Sequence, residues 1–323
     1  MFSNTLLFID GSWRSGAKNK TLPVYNPSTS EQIGLVAQAE KSDLDSALDS
    51  AQHGFTTWRI MSALDRSKIM RSAATLLRDR VETISRQLTL EQGKPIVQSR
   101  MEIFASADLI DWFAEEGRRI YGRTIPSSLP GVMQLVHKEP IGPVAAFSPW
   151  NFPVAQAVRK IAAALAAGCS IIIKAPEETP SAPAALIDCF ADAGLPNGVL
   201  NLVYGIPEEI SDYLIPNPII KKISFTGSTQ VGKKLASLCG FYMKRSTMEL
   251  GGHGPAIIFD DVEIDKVTSL LVSTKFRNAG QVCISPTRFI IYPDSAETRK
   301  LLATRRFRDS SGLHDSSPIF VRR

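Results

Sequence analysis

The chain has 323 residues, of which 44% are hydrophobic, and this is enough for one large or two smaller hydrophobic cores. Its formal net charge is +5, but residues 295–323 alone hold seven Lys and Arg against three Asp and Glu, so the charge indicates no nucleic-acid-binding face. The four cysteines form no CxxC pair, and the sequence shows no signal peptide and no apolar run of membrane length. We therefore expect a soluble cytoplasmic protein that binds no metal and no membrane.

The first part of the chain is predicted to be helical. Residues 42–60 and 65–90 place apolar side chains at helical spacing, and residues 95–117 continue in the same style. Residues 121–142 differ, because turn residues are followed there by the alternating stretch VMQLVHKEP. Such a segment is typical of a strand or a hairpin.

From residue 143 onward, short apolar strands alternate with helices. The predicted strands cover 144–148, 170–174, 199–203 and 221–225, and the predicted helices cover 154–167, 181–193 and 228–239. This alternation predicts a parallel sheet with right-handed crossovers. After the turn at Gly251 and Gly252, a strand at 256–259 and a helix at 263–277 indicate that a second α/β domain begins.

Several polar residues stand at the carboxyl ends of predicted strands, where ligands bind in open parallel sheets. Asn151 in SPWNFP follows one strand, and Lys174 in IIIKAPEETP ends the next. FTGSTQVG joins a strand to a helix whose N terminus suits a phosphate group. Glu249 in MELGG precedes a glycine pair, and Cys283 in NAGQVC has no other Cys or His close in sequence. Taken alone, such a thiol is more often a small apolar side chain than a nucleophile.

The GSTQVGKK stretch nearly matches a different nucleotide-binding motif, the P-loop pattern G-x-x-x-x-G-K-[ST]. Its last position is Lys234, so the magnesium-binding hydroxyl is missing, and the motif follows a late strand. No G-x-G-x-x-G motif is present either. Motif spacing therefore argues against a P-loop hydrolase and leaves a dinucleotide-binding fold as one interpretation.

In their order along the chain, SPWNFP, KAPEETP, FTGSTQVG, MELGG and NAGQVC resemble the NAD(P)-dependent aldehyde dehydrogenases, and within that family the succinate-semialdehyde dehydrogenases. The resemblance covers roughly residues 6–294, and five motifs in one order are far more specific than any single motif. It implies an α/β fold with a Rossmann-like parallel-sheet cofactor domain and a second, incomplete α/β catalytic domain.

The resemblance also implies domain boundaries. Residues 1–120 and 138–249 would form the NAD(P)-binding domain, 121–137 a bridging and oligomerisation hairpin, 250–294 the start of the catalytic domain, and 295–323 an aberrant, poorly ordered tail. The implied partners are a small aldehyde substrate and further copies of the chain, in a dimer or tetramer.

The catalytic residues follow from the same motifs. The resemblance implies that the Cys283 thiolate adds to the aldehyde, that the adduct loses hydride to nicotinamide, and that water activated by Glu249 releases the acid. The side-chain amide of Asn151 and the N–H of Cys283 would hold the developing oxyanion. Lys160 matches a lysine of the proton relay, and its alternative interpretation is a lysine on a helix surface.

For the cofactor, the resemblance implies that Lys174 and Glu177 bind the adenosine ribose, although Glu177 is also compatible with a solvated loop acid. The residues expected at the pyrophosphate and elsewhere along the cofactor are Gly227, Ser228, Trp150 and Gly251. A carboxylate on the ribose repels a 2′-phosphate, so NAD is favoured, while NADP remains an alternative.

Two arginines bear on the substrate. Arg159 and Arg277 match positions at which succinate-semialdehyde dehydrogenases hold the substrate carboxylate, and an arginine fork suits that group. The alternative is that each one pairs with a surface acid. Together they imply an aldehyde that carries a carboxylate, such as succinic semialdehyde.

Length is the main departure from the family. Its members continue well past residue 294, and this chain holds roughly two-thirds of their extent. We therefore expect a chain truncated within its catalytic domain. Two alternatives follow, namely an inactive remnant that binds nucleotide or pairs with a full-length subunit, and a cofactor-independent thiol hydrolase that uses Cys283 and Glu249.

Overall fold

A computed structural model of the chain describes residues 4–259 and 261–291, together with the backbone of residues 319–321. The chain forms two compact units, Met1–Glu249 and Leu250–Arg323.

The first unit begins with two antiparallel strand pairs that the sequence patterns did not predict. Strands β1 (Leu7–Ile9) and β2 (Ser12–Arg14) form one pair, and β3 (Thr21–Tyr25) and β4 (Gln32–Ala37) form the other. All three residues of β1 are buried. The tight turn after β1 is possible because Gly11 has a φ of 75°.

Four helices follow, where three were predicted. They are α1 (Lys41–Ile60), α2 (Ala63–Asp79), α3 (Val81–Gln92) and α4 (Ile96–Glu116). The single helix predicted over 65–90 is wrong, because Arg80 takes a non-helical conformation and separates α2 from α3. The apolar spacing continues through this break, so periodicity did not reveal it. Beyond α4, β5 (Arg123–Ile125) and β6 (Gln134–Val136) form an antiparallel hairpin.

The core of the first unit is a seven-stranded sheet. Its central strands are β7 (Val144–Phe147), β8 (Ile171–Lys174), β9 (Leu200–Val203) and β10 (Lys222–Gly227). These four lie parallel in the order β10-β7-β8-β9, and β7, β8 and β9 are buried throughout, as expected for strands covered by helices on both faces.

The edges of the sheet come from the two ends of the unit. On one side β1 pairs antiparallel with β9, and on the other β11 (Arg245–Leu250) lies beside β10. The connecting helices are α5 (Pro153–Ala166), α6 (Ser181–Asp192), α7 (Pro207–Leu214) and α8 (Thr229–Phe241). The α/β architecture predicted from the sequence is therefore confirmed.

The second unit contains a parallel sheet in the order β12-β13-β14. Its strands are β12 (Pro255–Ile258), β13 (Arg288–Ile291) and β14 (Ile319–Val321), and helix α9 (Ile264–Phe276) lies between β12 and β13 in sequence. Of the tail predicted at 295–323, only β14 is described, and the rest of that prediction lies outside the described residues.

Candidate active site

The sheet has a topological switch point between β7 and β10. The chain runs from β7 to β8 and β9 on one side, and then places β10 on the other side of β7. In open α/β sheets, ligands bind outside the carboxyl ends of the strands at such a point. Strand register aligns Phe147 with Lys174 and with Phe225, so the segments that follow these residues meet at the same edge.

Asn151 lies in the loop between β7 and α5 and is partly buried. Its Oδ1 accepts a hydrogen bond from the N–H of Phe152 at 3.1 Å, and its main-chain carbonyl accepts one from Lys94 Nζ at 2.8 Å. The first bond orients the side-chain amide, so that Nδ2 is the end that donates. Trp150, beside it, is 39% exposed.

Lys160 lies on α5 and is buried rather than exposed. Its Nζ donates to Thr226 Oγ1 at 2.7 Å and to Ser224 Oγ at 3.4 Å, and both of these hydroxyls belong to β10. Burial lowers the pKa of Lys160 to about 8, and Glu249 acts against that effect through its negative charge. The interpretation of Lys160 as a helix-surface lysine is therefore wrong.

Glu249 is the last residue of the first unit and lies on β11, with its side chain exposed. Its electrostatic effect on the pKa of Lys160 links these two candidate residues. An exposed carboxylate close to a lysine of low pKa can exchange protons with it and with water.

Lys174 and Glu177 form an ion pair where β8 ends. Lys174 Nζ donates to Glu177 Oε2 at 2.5 Å, and the N–H of Gly205 donates to Glu177 Oε1 at 2.8 Å. The side chains are only 6% and 15% exposed, so Glu177 is not a solvated loop acid. This fixed pair of a cation and an anion fits the hydroxyl groups of a cofactor ribose.

The N terminus of α8 provides a second element for a dinucleotide. Ser228 is the N-cap residue and accepts a hydrogen bond from the N–H of Val231 at 3.3 Å. Gly227 is required next to it, since a Cβ there would stand 2.4 Å from the ring of Phe225. The backbone N–H groups and the dipole of this thirteen-residue helix suit a pyrophosphate.

Cys283 lies in the second unit, in a turn closed by a 3.0 Å bond from the N–H of Ser285 to the carbonyl of Val282. It is exposed, whereas Cys169, Cys189 and Cys239 are buried, and burial raises the pKa of each of these three thiols. Just before the turn, Asn278, Ala279 and Gly280 have φ values of 50°, 54° and 80°. The sequence did not predict this left-handed run.

The remaining predicted residues are exposed. Arg159 on α5 forms no ion pair with any residue that the structure describes, so its interpretation as a partner of a surface acid is wrong for that part of the chain. Arg277 and Gly251 belong to the second unit. Within residues 4–259 and 261–291, no cluster of His, Cys, Asp and Glu could hold a metal ion.

Sequence reasoning missed three buried charged residues behind the candidate site. They are Glu91 on α3, Lys94 just after it, and Glu102 on α4. For Glu102, helical register was a signal of burial that could have been used, because Glu102 lies on the same face of α4 as the buried Ser99 and Ser106.

The switch point, the Lys174–Glu177 pair and the capped N terminus of α8 define an α/β protein of the dinucleotide-binding class. The model of the "Aldehyde dehydrogenase family" matches residues 13–306, so the chain belongs to the aldehyde dehydrogenase family. The match extends past residue 294, where we expected the resemblance to end.

Individual relatives agree with this assignment. The chain is 48% identical over 285 residues to 4-(hydroxymethyl)benzenesulfonate dehydrogenase TsaD1 of Comamonas testosteroni, covering 88% of this chain and 60% of the relative. It is 39% identical over 283 residues to succinate-semialdehyde dehydrogenase [NADP(+)] GabD of Escherichia coli (strain K12), covering 88% and 59%. The chain thus spans about 60% of the length of these relatives.

Solved structures show the same fold. A salicylaldehyde dehydrogenase from Pseudomonas putida G7, complexed with salicylaldehyde, matches with a TM-score of 0.93 and 30% identity over 96% of this chain and 65% of that one. A succinate-semialdehyde dehydrogenase from Burkholderia pseudomallei matches with a TM-score of 0.89 and 38% identity, over 93% and 62%. No helix within the described ranges has the length and apolarity needed to span a membrane.

Proposed function

We propose that this protein oxidises an aldehyde with a remote anionic group to the carboxylic acid, with NAD(P) as the electron acceptor. The observation that carries the proposal is that strand register brings the Asn151 loop and the Lys174–Glu177 pair to one sheet edge in a member of this family, while Lys160 bonds to Thr226 on the neighbouring strand β10. The parent reaction converts an aldehyde, NAD⁺ and water into an acid, NADH and a proton.

In this proposal the Cys283 thiolate attacks the aldehyde carbonyl and forms a thiohemiacetal. Asn151 Nδ2 and the N–H of Cys283 donate hydrogen bonds to the oxygen as negative charge develops on it. NAD(P), when bound, supplies the hydride acceptor that turns the adduct into a thioester. Glu249 then removes a proton from the water that cleaves this thioester and frees the thiol.

Lys160 is proposed to pass the proton onward from Glu249. Its pKa of about 8 supports this role, because such a lysine is partly neutral near physiological pH and can accept a proton. The Thr226 and Ser224 hydroxyls give its ammonium group fixed partners in the charged state.

For the cofactor, Lys174 and Glu177 are proposed to hold the adenosine ribose, and the α8 N terminus at Gly227 and Ser228 to hold the pyrophosphate. Trp150 and Gly251 are proposed as further cofactor contacts. The fixed carboxylate of Glu177 supports NAD over NADP, because it would repel a 2′-phosphate.

Substrate selection is proposed to rest on Arg159 and Arg277. A succinic-semialdehyde-like substrate, with a carboxylate at its far end, fits an arginine fork. A sulfonated aromatic aldehyde is the second candidate, because the relative at 48% identity is named for a benzenesulfonate and the succinate-semialdehyde relative is at 39%.

Assembly into a homodimer or tetramer is proposed through the β5–β6 hairpin. Met133 and Leu135 on this hairpin are 76% and 53% exposed, and such apolar exposure supports a contact with a second copy of the chain. Sedimentation analysis of the chain and of a Met133→Lys, Leu135→Lys variant would test this contact.

The central experiment measures NADH formation by the purified chain with succinic semialdehyde, 4-sulfobenzaldehyde and neutral benzaldehyde. Because the chain spans about 60% of its relatives, a fusion continued by the remaining residues of the Comamonas testosteroni relative is assayed alongside it. Removing either arginine should raise KM for the favoured anionic aldehyde roughly thirtyfold, which is about 2 kcal/mol, and leave KM for benzaldehyde nearly unchanged. Arg59→Ala, on the exposed side of α1, is the control.

Three outcomes separate the proposal from its alternatives. NADH formation with preference for an anionic aldehyde supports it. Nucleotide binding without NADH in either protein would favour the inactive remnant, and ester hydrolysis without nucleotide would favour the thiol hydrolase. If removing either arginine raises KM equally for anionic and neutral aldehydes, Arg159 and Arg277 do not recognise the anionic group of the substrate.

A further inference from the structure

Lys94 and Glu102 form an ion pair that is completely shielded from solvent. Their side chains are 0% and 1% exposed, and Lys94 Nζ lies 2.6 Å from Glu102 Oε2. Lys94 follows Gly93, which ends α3, while Glu102 lies on α4. Removing two charges from water is costly, so a buried pair is weak evidence for a purely stabilising role. The other hydrogen bonds of Lys94 and Glu102 therefore indicate what the pair does.

Those hydrogen bonds reach the segment that carries Asn151. Lys94 Nζ donates to the Asn151 carbonyl at 2.8 Å and lies 4.0 Å from the centre of the Phe152 ring. Glu102 Oε1 accepts from the N–H groups of Val154 and Ala155 at 3.0 and 3.1 Å. These two N–H groups are in the first turn of α5, where no intrahelical acceptor exists, and the N-cap residue Phe152 provides no side-chain cap.

A second buried carboxylate does the same for another helix. Glu91 Oε2 accepts from the N–H and Oγ of Ser181, and Oε1 accepts from the N–H of Ala182. These groups begin α6, four residues after Glu177. Glu102 on α4 therefore caps α5, the helix that follows Asn151. Glu91 on the neighbouring helix α3 caps α6, the helix that follows Glu177.

We propose that Lys94 and Glu102 are positioning residues that fix the Asn151 main chain, and so the direction of its Nδ2 donor, while Glu91 fixes the Glu177 segment. The role assigned to Asn151 rests on the proposed function, whereas the main-chain contacts do not. Oxyanion stabilisation depends on donors held in place before the reaction, so a displaced Asn151 loses effectiveness while still present.

The first test is hydrogen exchange in the 323-residue chain. Glu102→Ala should increase exchange at Val154 and Ala155 at least about tenfold, with Ser181 and Ala182 unchanged. Glu91→Ala should give the reverse pattern, which makes it the matched control. The double variant Lys94→Met, Glu102→Gln removes both charges and keeps an amide oxygen for the α5 N–H groups, so it should retain most of their protection. This variant keeps the proposal testable if a lone buried charge prevents folding.

The second test is turnover, measured in the chain and in the fusion. Lys94→Met with Glu102→Gln should lower kcat at least about tenfold with little change in KM for NAD⁺, because the Asn151 carbonyl loses its donor. Glu91→Gln should instead raise Kd for NAD⁺, with kcat near that of the unaltered protein. If these residues only stabilised the fold, the variants would lower the melting temperature, but kcat would not fall selectively in Lys94→Met, Glu102→Gln and Kd would not rise selectively in Glu91→Gln.

Two results would overturn the positioning proposal. One is unchanged exchange at Val154 and Ala155 in Glu102→Ala. The other is exchange that increases equally at all four amides. If Asn151→Ala itself leaves kcat unchanged, the proposed oxyanion role fails, and the exchange results still decide whether Lys94 and Glu102 hold this segment.

Discussion

Lys160 on α5 and Thr226 on β10 are joined by a 2.7 Å hydrogen bond that connects a helix to the strand on the far side of the switch point. The bond gives a buried ammonium group a neutral partner. A carboxylate in that place would favour the charged lysine, whereas a hydroxyl leaves the desolvation penalty largely uncompensated. This is the physical reason for the low pKa of Lys160.

The first prediction follows from that pKa. The unfolded chain has a lysine pKa near 10.5, and the folded chain has one of about 8, so the unfolded state binds more protons between these values. The stability cost of burying the charge is full below pH 8 and is relieved as the pH rises towards 10.5. The unfolding free energy of the chain should therefore gain up to about 3 kcal/mol relative to Lys160→Met across this window. Urea unfolding at pH 7 and pH 10 measures it, with Lys68→Met on the exposed side of α2 as the control.

Glu91 gives a prediction of opposite sign. Burial raises the pKa of this carboxyl to about 7, against 4.5 in the unfolded chain, so the folded state holds its proton over a wider range. The resulting stabilisation is full below pH 4.5 and is lost as the pH rises through 7. Glu91→Gln, which stays neutral, should therefore gain about 3 kcal/mol relative to the parent chain between pH 4.5 and 7. If the unfolding free energies of the parent chain and of Glu91→Gln change with pH in the same way, the raised pKa of Glu91 is wrong.

Glu177 determines the prediction for cofactor choice. Glu177→Gln keeps an oxygen that can accept from the Gly205 N–H, removes the negative charge, and leaves Lys174 able to meet a 2′-phosphate. The ratio of the Kd values for NADP⁺ and NAD⁺ should fall roughly tenfold, or about 1.4 kcal/mol. Calorimetric titration of the chain with each nucleotide measures this ratio. Glu178→Gln, at the exposed neighbouring position, should leave it unchanged. Tighter binding of NADP⁺ by the unaltered chain would disprove the role of Glu177.

The left-handed run before Cys283 predicts an unusual response to glycine. Ala279 has a φ of 54°, a conformation that costs a residue with a Cβ roughly 1 kcal/mol and costs glycine little. Ala279→Gly should therefore stabilise the chain by about 1 kcal/mol, and Ala279→Val should destabilise it by at least that amount. The matched control is Ala185→Gly inside α6, where the same substitution should destabilise by about 1 kcal/mol. Urea unfolding of the three variants compares the signs.

The thiols provide the fifth prediction. Cys283 is exposed, while burial raises the pKa of Cys189 to about 11 and also raises those of Cys169 and Cys239. Iodoacetamide at neutral pH should thus modify Cys283 at least about ten times faster than the other three in the folded chain, and all four alike in urea. Peptide mass spectrometry follows the labelling, and Cys283→Ser should remove the fast phase. Preferential modification of a buried thiol would contradict the structure.

The central sheet could be predicted from the sequence because its physics is local. Strands buried on both faces read as continuous apolar runs such as IIIK, and Gly168 and Gly194, with φ values of 80° and 85°, stop the helices between them. The order of the motifs then indicated Asn151, Lys174 and Ser228, and the strand register brings their segments to one edge.

Other features depend on contacts that sequence patterns do not contain. The α2–α3 break at Arg80 changes only one residue's backbone conformation and leaves the apolar spacing intact. Helical register could place Glu102 on the buried face of α4, but only the folded chain shows that Lys94 pairs with it and that the two bond to Asn151 and the α5 N terminus. The roles proposed for Cys283 and Glu249 rest on resemblance alone, because neither position has a local sequence pattern that distinguishes a reactive group.

The antiparallel pairing of Phe8 with Leu202 has a consequence for how the protein is made. The ribosome releases β1 first, yet its partner β9 is synthesised nearly two hundred residues later. During that interval Leu7, Phe8 and Ile9, all buried in the finished sheet, can pair with β2 but lack β9 on their other side. Such distant pairing slows folding and leaves an apolar segment open to chaperones or to another nascent chain. Mutations that add charge to β1 should therefore reduce the yield of folded protein mainly after β9 has emerged, when the sheet has to close.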